Sequence, residues 1–139
     1  MKPKVYVETS VISYLTARSS RDIIVAANQQ ATQEWWHSRK PDFDIYISQL
    51  VIQDAISGDM EAISKRQEVL ENLALLDISG EAVALAENLV KQKAIPEQAA
   101  EDALHIALAV VNGMDYLVTW NFKHIANAAM RANVELVAA

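Results

Sequence analysis

Short apolar runs alternate with helix-like segments along the whole chain, and this alternation is the feature that most constrains its fold. Parallel strands cannot be joined by a tight turn, so they need crossover connections, which are usually helices. The pattern therefore predicts an α/β fold, a three-layer sandwich with a mainly parallel central sheet of four to five strands. Because the 139 residues contain no repeat and no linker, we expect one domain, 1–139.

The elements are predicted from apolar runs that end on polar residues and from apolar positions at three- and four-residue steps. The predicted strands cover 5–7, 43–48, 73–79, 114–120 and 134–138. The predicted helices cover 10–17, 23–38, 49–57, 60–72, 81–93 and 96–112, and a last helix opens near Asn121. Gly113 is expected to end the long helix. Helix caps are expected at Thr9 or Ser10, Ser19 or Ser20, Ser48, Asp59 and Ser79.

Composition excludes several classes of site and of protein. Cysteine is absent, so neither disulfides nor thiolate sites can form. The chain has no apolar run near the ~20 residues that span a bilayer and no signal-peptide core, so we expect a cytoplasmic protein without membrane contact. The net charge of −6 argues against a broad basic face for nucleic acid. It is compatible with an enzyme that binds a short stretch of nucleic acid through a bound metal ion and a few basic side chains. Candidates for these basic side chains are Lys123, Arg18 and Arg21.

Polar side chains follow several of the predicted strands. Glu8 comes directly after the first strand, and Asp54 lies one turn into the helix after the second. Asp102 sits in the first half of the long apolar helix, and Asn121 follows the fourth strand. Since ligands of open parallel sheets bind outside the carboxyl ends of the strands, we expect these four side chains to converge there.

Three carboxylates at one point repel one another and need a cation or a proton to be stable together. Oxygen ligands without cysteine or clustered histidine favour Mg²⁺ or Mn²⁺ over Zn²⁺. Such cations are the usual apparatus for cutting or transferring phosphates. The sequence therefore predicts metal-dependent phosphate chemistry at Glu8, Asp54, Asp102 and Asn121.

Three segments carry a resemblance to a known family: "VYVETSVISYL", "YISQLVIQDAISGD" and "AAEDALHIALAVVNGMDYLVTWNFKHIAN". They resemble PIN-domain proteins, in particular the VapC-like toxins of type II toxin–antitoxin systems. The family pattern has Asp where this chain has Glu8, Glu where it has Asp54, and Asp where it has Asn121, whereas Asp102 matches it. The lost charge at Asn121 predicts weaker Mg²⁺ binding.

The resemblance implies an endoribonuclease that uses Mg²⁺ or Mn²⁺ and water to cleave RNA. It also implies a protein antitoxin as partner and a homodimer. An alternative is a PIN-fold module that binds RNA or a protein partner without cleavage. A phosphatase of another α/β fold is disfavoured, because its aspartyl-phosphate type needs a strand-end Asp nucleophile, and Glu8 does not supply one.

Several residues near these positions keep two interpretations. Glu101 is the neighbour that could replace Asp102 if the register differs by one. Asn121 could cap the last helix, with Thr119 orienting it. His105 is expected in a satisfied core, and His124 is better placed to touch a phosphate.

Away from the expected site, Asp115 is expected to be structural, because it starts the fourth strand at the opposite end of the sheet. Trp35 and Trp36 cannot both face inward. One is expected in the core and the other at a dimer or antitoxin interface.

Overall fold

The computed structural model describes residues 2–126 and 135–137. Five strands are present in this part of the chain: β1 (Lys4–Val7), β2 (Asp44–Ser48), β3 (Ala74–Leu76), β4 (Tyr116–Val118) and β5 (Glu135–Val137). The helices are α1 (Thr9–Thr16), α2 (Ile23–Arg39), α3 (Gln49–Ala55), α4 (Met60–Leu70), α5 (Gly80–Lys91) and α6 (Ala100–Val111). Single turns of 3₁₀-helix cover Lys40–Asp42 and Glu97–Ala99, and a π-helical turn covers Phe122–Ala126.

The five strands form one sheet in the order β3-β2-β1-β4-β5, and every neighbouring pair is parallel. The first strand lies in the centre, where Val5 pairs with Ile45 on one side and with Tyr116 on the other. The prediction of a mainly parallel α/β sheet is confirmed. All strands therefore end at the same edge, which is where the candidate side chains follow them.

Both faces of the sheet are covered. Val5, Tyr6 and Val7 are each at most 1% exposed, and successive strand residues point to opposite faces. Helix α1 packs against α2, α3 and α4, while α5 packs against α6. The predicted three-layer arrangement is confirmed, and its core runs along both sides of β1.

Helix α6 is largely buried and carries Glu101, Asp102 and His105. Ala103, Ile106 and Ala107 are fully buried, and the helix packs against β4. It is followed, as predicted, by Gly113, whose φ of +68° lies in the left-handed region that favours glycine. The helix is shorter than predicted, because Glu97–Ala99 after Pro96 forms a 3₁₀ turn.

Helix capping differs from the prediction at the first two helices. Glu8, and not Thr9 or Ser10, is the N-cap of α1, because its side chain accepts a hydrogen bond from the Ser10 amide. The cap of α2 is Asp22 rather than Ser19 or Ser20, since its carboxylate accepts from the amides of Ile24 and Val25. A carboxylate close to a helix N-terminus gains from the helix dipole as well as from the hydrogen bond.

Of the remaining predicted caps, some make the expected hydrogen bond and one does not. Ser48 stands at the cap position of α3 but makes no capping hydrogen bond. Asp59 and Ser79 cap α4 and α5 as predicted. The predicted last helix begins as the turn Phe122–Ala126, and its continuation lies outside the described residues.

The apolar residues of α2 do not all face the core. Ile24 is 73% exposed, whereas Gln29, Thr32 and Trp36 are buried. Trp36 therefore occupies the core, and Trp35 is half-buried and stacks on Phe43. Within the described part of the chain, no helix is both long enough and apolar enough to cross a bilayer.

Candidate functional site

Glu8 directly follows β1, and its buried carboxylate is held in place by hydrogen bonds to both oxygens. It is 6% exposed. Its Oε2 atom accepts from the Ser10 amide at 3.0 Å, and its Oε1 atom accepts from the Ser10 hydroxyl at 2.5 Å and from the Thr119 hydroxyl at 2.6 Å. A carboxylate offers about four lone pairs. Three are used by these donors, so one lone pair of Oε2 remains for a further partner.

Asp54 reaches the same end of the sheet from helix α3. The Thr9 hydroxyl, at the start of α1, donates to its Oδ2 atom at 2.9 Å. Thr9 and Ser10 therefore each bind a candidate carboxylate instead of capping their own helix. The backbone after Asp54 is held by Arg66 of α4, which donates to the carbonyls of Ala55 and Ser57 at 3.0 and 2.6 Å.

Glu101 shows that four carboxylates converge. The pKa of its carboxyl is raised to about 7, first by loss of water around it, then by a hydrogen bond to Asp54. The negative charges of Asp54, Asp102 and Glu8 raise it further. Glu101 is exposed as a residue, but one of its carboxyl oxygens lies within 4.8 Å of a carboxyl oxygen of Asp54. We call Glu8, Asp54, Glu101 and Asp102 the acidic site.

Asp102 is paired with a histidine from the turn after β4. Nδ1 of His124 lies 3.1 Å from its Oδ2 atom, and both side chains are about three-quarters buried, with 27% and 21% exposed. Asn121 belongs to the same network, because its Oδ1 atom accepts from the His124 amide at 3.1 Å. Its own amide donates to the Thr119 hydroxyl at 2.9 Å. Asn121 thus caps the turn Phe122–Ala126. It also connects Thr119, which binds Glu8, to His124, which binds Asp102.

His105 is buried beneath the acidic site. Its Nδ1 atom lies 2.6 Å from the Tyr6 hydroxyl, which lies 2.7 Å from the Ser48 hydroxyl. Burial lowers the pKa of His105, and the charges of Glu8, Asp54 and Asp102 only partly oppose this. The imidazole is therefore neutral at physiological pH. The same burial raises the pKa of Tyr6, so its phenol stays protonated.

A cation-ligand geometry is present at one point of this cluster. One donor atom from each of Asp54, Glu101 and His105 lies within 4.8 Å of the others. Among the side chains that the structure describes, no other trio of acidic, histidine or cysteine residues comes this close. Carboxylate oxygens and a neutral imidazole are a donor set that fits a divalent cation. The residues present therefore fit such an ion.

The structure places the four sequence-predicted site residues in one neighbourhood but not equally close. The charges of Glu8, Asp54 and Asp102 all act on the carboxyl of Glu101, and the same three act on the imidazole of His105. Asn121 joins them only through the hydrogen bonds of Thr119 and His124. Their role as metal ligands stays a prediction. Asp115 lies at the opposite end of β4, where its carboxylate accepts from the Lys4 amide, as expected of a structural residue.

Glu101 and His105 lie at the site although the sequence does not assign them to it. The sequence predicts Glu101 only as a register alternative to Asp102, and His105 as part of the core. The signal that could have found them is their spacing, because residues four apart on a helix lie on one face. Asp102 is three residues from His105, so all three share the face of α6 that looks toward the strand ends.

Comparisons with known proteins agree with this architecture. The PIN domain family model matches residues 5–129. A chain in the crystal structure of VapBC2 from Rickettsia felis, bound to a DNA fragment from their promoter, superposes with a TM-score of 0.66 at 18% identity, covering 97% of this chain and 98% of that one. VapC20 of Mycobacterium tuberculosis, a toxin that cleaves the sarcin-ricin loop, superposes with a TM-score of 0.66 at 14% identity, covering 88% and 94%. At these identities the likeness speaks for the fold alone. No curated protein matches the sequence.

Proposed function

The chain belongs to the PIN domain family, and on that premise we propose that it is a metal-dependent endoribonuclease and the toxin of a toxin–antitoxin pair. The observation that carries this proposal is the convergence of Glu8, Asp54 and Asp102 on Glu101, whose pKa is raised to about 7. Like charges held this close are unfavourable unless a proton or a cation joins them. Because the fold brings these carboxylates together from three segments of the chain, we expect them to bind a cation.

The chemistry expected there is hydrolysis of a phosphodiester. A bound divalent cation would polarise a phosphoryl oxygen and lower the pKa of an attacking water. In this proposal Glu8 holds the cation with the free lone pair of Oε2, while Thr119 and Ser10 keep the carboxylate from turning. Asp102, held by His124 at 3.1 Å, orients the attacking water or a second water next to the phosphate.

The RNA substrate would enter past the few cations near the strand ends. Lys123 is exposed and directly precedes His124 in the turn after β4. It is the candidate for a phosphate contact. Arg18 is a weaker candidate, because its guanidinium lies 2.7 Å from Glu61. Since the net charge is −6, binding should depend on these local charges and weaken with added salt.

Partners are proposed from the solved relatives. VapBC2 was solved bound to a DNA fragment from their promoter, and VapC20 is a toxin that cleaves the sarcin-ricin loop. By analogy, this chain would pair with a small antitoxin that covers the acidic site, and it would form a homodimer in the cytoplasm. Size-exclusion chromatography tests both interactions: the protein alone shows whether it forms a homodimer, and co-expression with the product of the neighbouring reading frame shows whether it forms a complex.

The test is cleavage of a structured RNA in Mg²⁺ or Mn²⁺ by purified protein. We expect cleavage to fall by at least about 10- to 100-fold in Asp102→Asn. Asp115→Asn is the matched control: it removes the same charge at the other end of the sheet and keeps an oxygen for the Lys4 amide. Equal cleavage by wild type and Asp102→Asn would reject the assigned site.

Binding of RNA or a protein partner without cleavage is the second candidate. One observation favours it: Asn121 stands where the family has an acid, and its side-chain oxygen already accepts from the His124 amide. Thermal stability discriminates between the two candidates. A cation that binds only the folded protein must raise its melting temperature. The absence of any shift with millimolar Mg²⁺ or Mn²⁺ would favour the non-catalytic module.

A further inference from the structure

We propose that Nε2 of His105 is a ligand of the divalent cation, so that the centre is a mixed nitrogen–oxygen site that favours Mn²⁺ over Mg²⁺. This inference rests on the proposed function, because it requires a cation at the acidic site. It goes beyond that function by adding a histidine to a site expected to use oxygen alone. It also makes the choice of metal a property of one buried side chain.

The geometry brings the imidazole to the carboxylates. Glu101 and His105 are four residues apart on α6, so they lie on the same face about one helical turn from each other. Asp54 faces them from α3. The three donor atoms lie within 4.8 Å of one another. Donors about 2.1 Å from a metal are about 3.0 Å apart when adjacent and about 4.2 Å apart when opposite. Small rotations of the two carboxylates therefore suffice to close the three donors on one ion.

The hydrogen bonds of His105 select the nitrogen that can bind. Nδ1 is occupied by the Tyr6 hydroxyl at 2.6 Å, whereas none of the described residues hydrogen-bonds to Nε2. Histidines that bind metals almost always donate their other ring N–H to an acceptor, which fixes the tautomer and the ring. We assign that arrangement here: Nδ1–H donates to the Tyr6 oxygen, and the Tyr6 O–H donates to the Ser48 oxygen. Nε2 then keeps its lone pair, and in this proposal it is the nitrogen that completes the group of donor atoms from Asp54, Glu101 and His105.

Packing alone does not explain this group of residues. Tyr6, Ser48 and His105 are each at most 1% exposed, in a layer otherwise built of Val, Ile, Leu and Ala. Buried polar groups cost free energy unless they are all satisfied, so an apolar residue at 105 would be the simpler core. The hydrogen bond with Tyr6 satisfies Nδ1, and Nε2 keeps its lone pair. A cation at Nε2 completes the network.

The ligand set decides the metal. Mg²⁺ takes oxygen ligands and keeps several waters, whereas imidazole is a ligand of first-row transition metals. Replacing one water or oxygen by this nitrogen should therefore favour Mn²⁺ over Mg²⁺.

The first experiment detects the nitrogen directly. Mn²⁺ is added to the full-length protein, and electron spin-echo modulation from ¹⁴N is recorded on the bound ion. We expect modulation typical of a coordinated imidazole in wild type and in His124→Gln, and its loss in His105→Gln. Bound Mn²⁺ without nitrogen modulation, or modulation that disappears in His124→Gln instead, would overturn the assignment while leaving the proposed nuclease intact. If Mn²⁺ does not bind at all, the cation site fails, and the proposed function fails with it.

The second experiment keeps the test valid if His105→Gln does not fold. Tyr6→Phe preserves the ring and removes only the hydroxyl that holds Nδ1, and Tyr46→Phe, on the neighbouring strand, is the matched control. Calorimetric titration should give a Mn²⁺ Kd about 10- to 100-fold weaker for Tyr6→Phe, with a much smaller change for Mg²⁺. Tyr46→Phe should match wild type. An unchanged ratio of Mn²⁺ to Mg²⁺ affinity in Tyr6→Phe would contradict the proposal.

Discussion

The Thr119 hydroxyl donates a 2.6 Å hydrogen bond to Oε1 of Glu8, although 111 positions separate the two residues in the chain. The contact joins the end of β4 to the end of β1. The same hydroxyl oxygen accepts from the Asn121 amide at 2.9 Å. One buried hydroxyl therefore fixes both a carboxylate of the acidic site and the turn that carries Asn121 and His124.

Thr119→Val is expected to damage the fold and the site together. Valine keeps the shape of threonine but leaves a buried carboxylate oxygen and an amide without one partner each, which costs about 1–3 kcal/mol of unfolding free energy. Glu8 is then free to rotate, so cation affinity should also fall. Thr119→Ser keeps the hydroxyl and serves as the control. Urea denaturation and Mn²⁺ titration measure both effects, and wild-type behaviour of the valine variant would contradict this role.

Glu101 should make the metal-free protein less stable as the pH rises. Its folded pKa of about 7 exceeds the ordinary value of 4.5, so between these values the folded protein binds the proton more tightly than the unfolded chain does. The stabilisation is complete below about pH 4.5 and is lost as the pH passes through about 7. Urea denaturation in a chelator at pH 5, 6, 7 and 8 measures the slope.

Two controls isolate that effect. Glu101→Gln removes the titrating carboxyl, so its unfolding free energy should fall less between pH 5 and pH 8 than that of wild type. A saturating divalent cation should also flatten the slope, because it replaces the proton as the positive partner of Asp54 and Glu101. Parallel pH profiles for wild type and Glu101→Gln would show that the carboxyl does not titrate in this range.

Arg66 is expected to hold Asp54 through the backbone. It donates to the carbonyl of Ala55, the last residue of α3, and to that of Ser57, two residues later. Arg66→Met keeps much of the packing and removes hydrogen bonds from a charged donor, which should cost about 1.5–3 kcal/mol in urea denaturation. Cation affinity should fall as well. The control is Lys65→Met on the same helix, whose ammonium lies 3.5 Å from the exposed Glu61 and should matter little.

His124→Gln should separate stability from activity. The pair with Asp102 is partly solvated, so its loss should cost no more than about 1 kcal/mol of unfolding free energy. RNA cleavage should fall by about 10- to 100-fold, because Asp102 loses the partner that orients it. Denaturation and cleavage are measured on the same preparation, and unchanged cleavage would show that Asp102 works without His124.

The sequence by itself determined the parallel α/β sandwich and the edge at which the site forms. Alternating strands and helices require crossovers, crossovers make the strands parallel, and parallel strands bring Glu8, Asp54 and Asp102 to one edge. The positions of Asp59, Ser79 and Gly113 also followed from local backbone chemistry. These features depend on neighbouring residues in the chain, so a single sequence is enough to predict them.

Tertiary structure alone decided which partners the site residues have. The rotation of α6 about its axis, set by packing against α5 and β4, brings Glu101 and His105 to the acidic site beside Asp102. The partner of His105 is Tyr6, 99 positions away, and that of Glu8 is Thr119. Such contacts depend on the register of strands and the depth of helices, which arise from the packing of the whole core and not from local pattern.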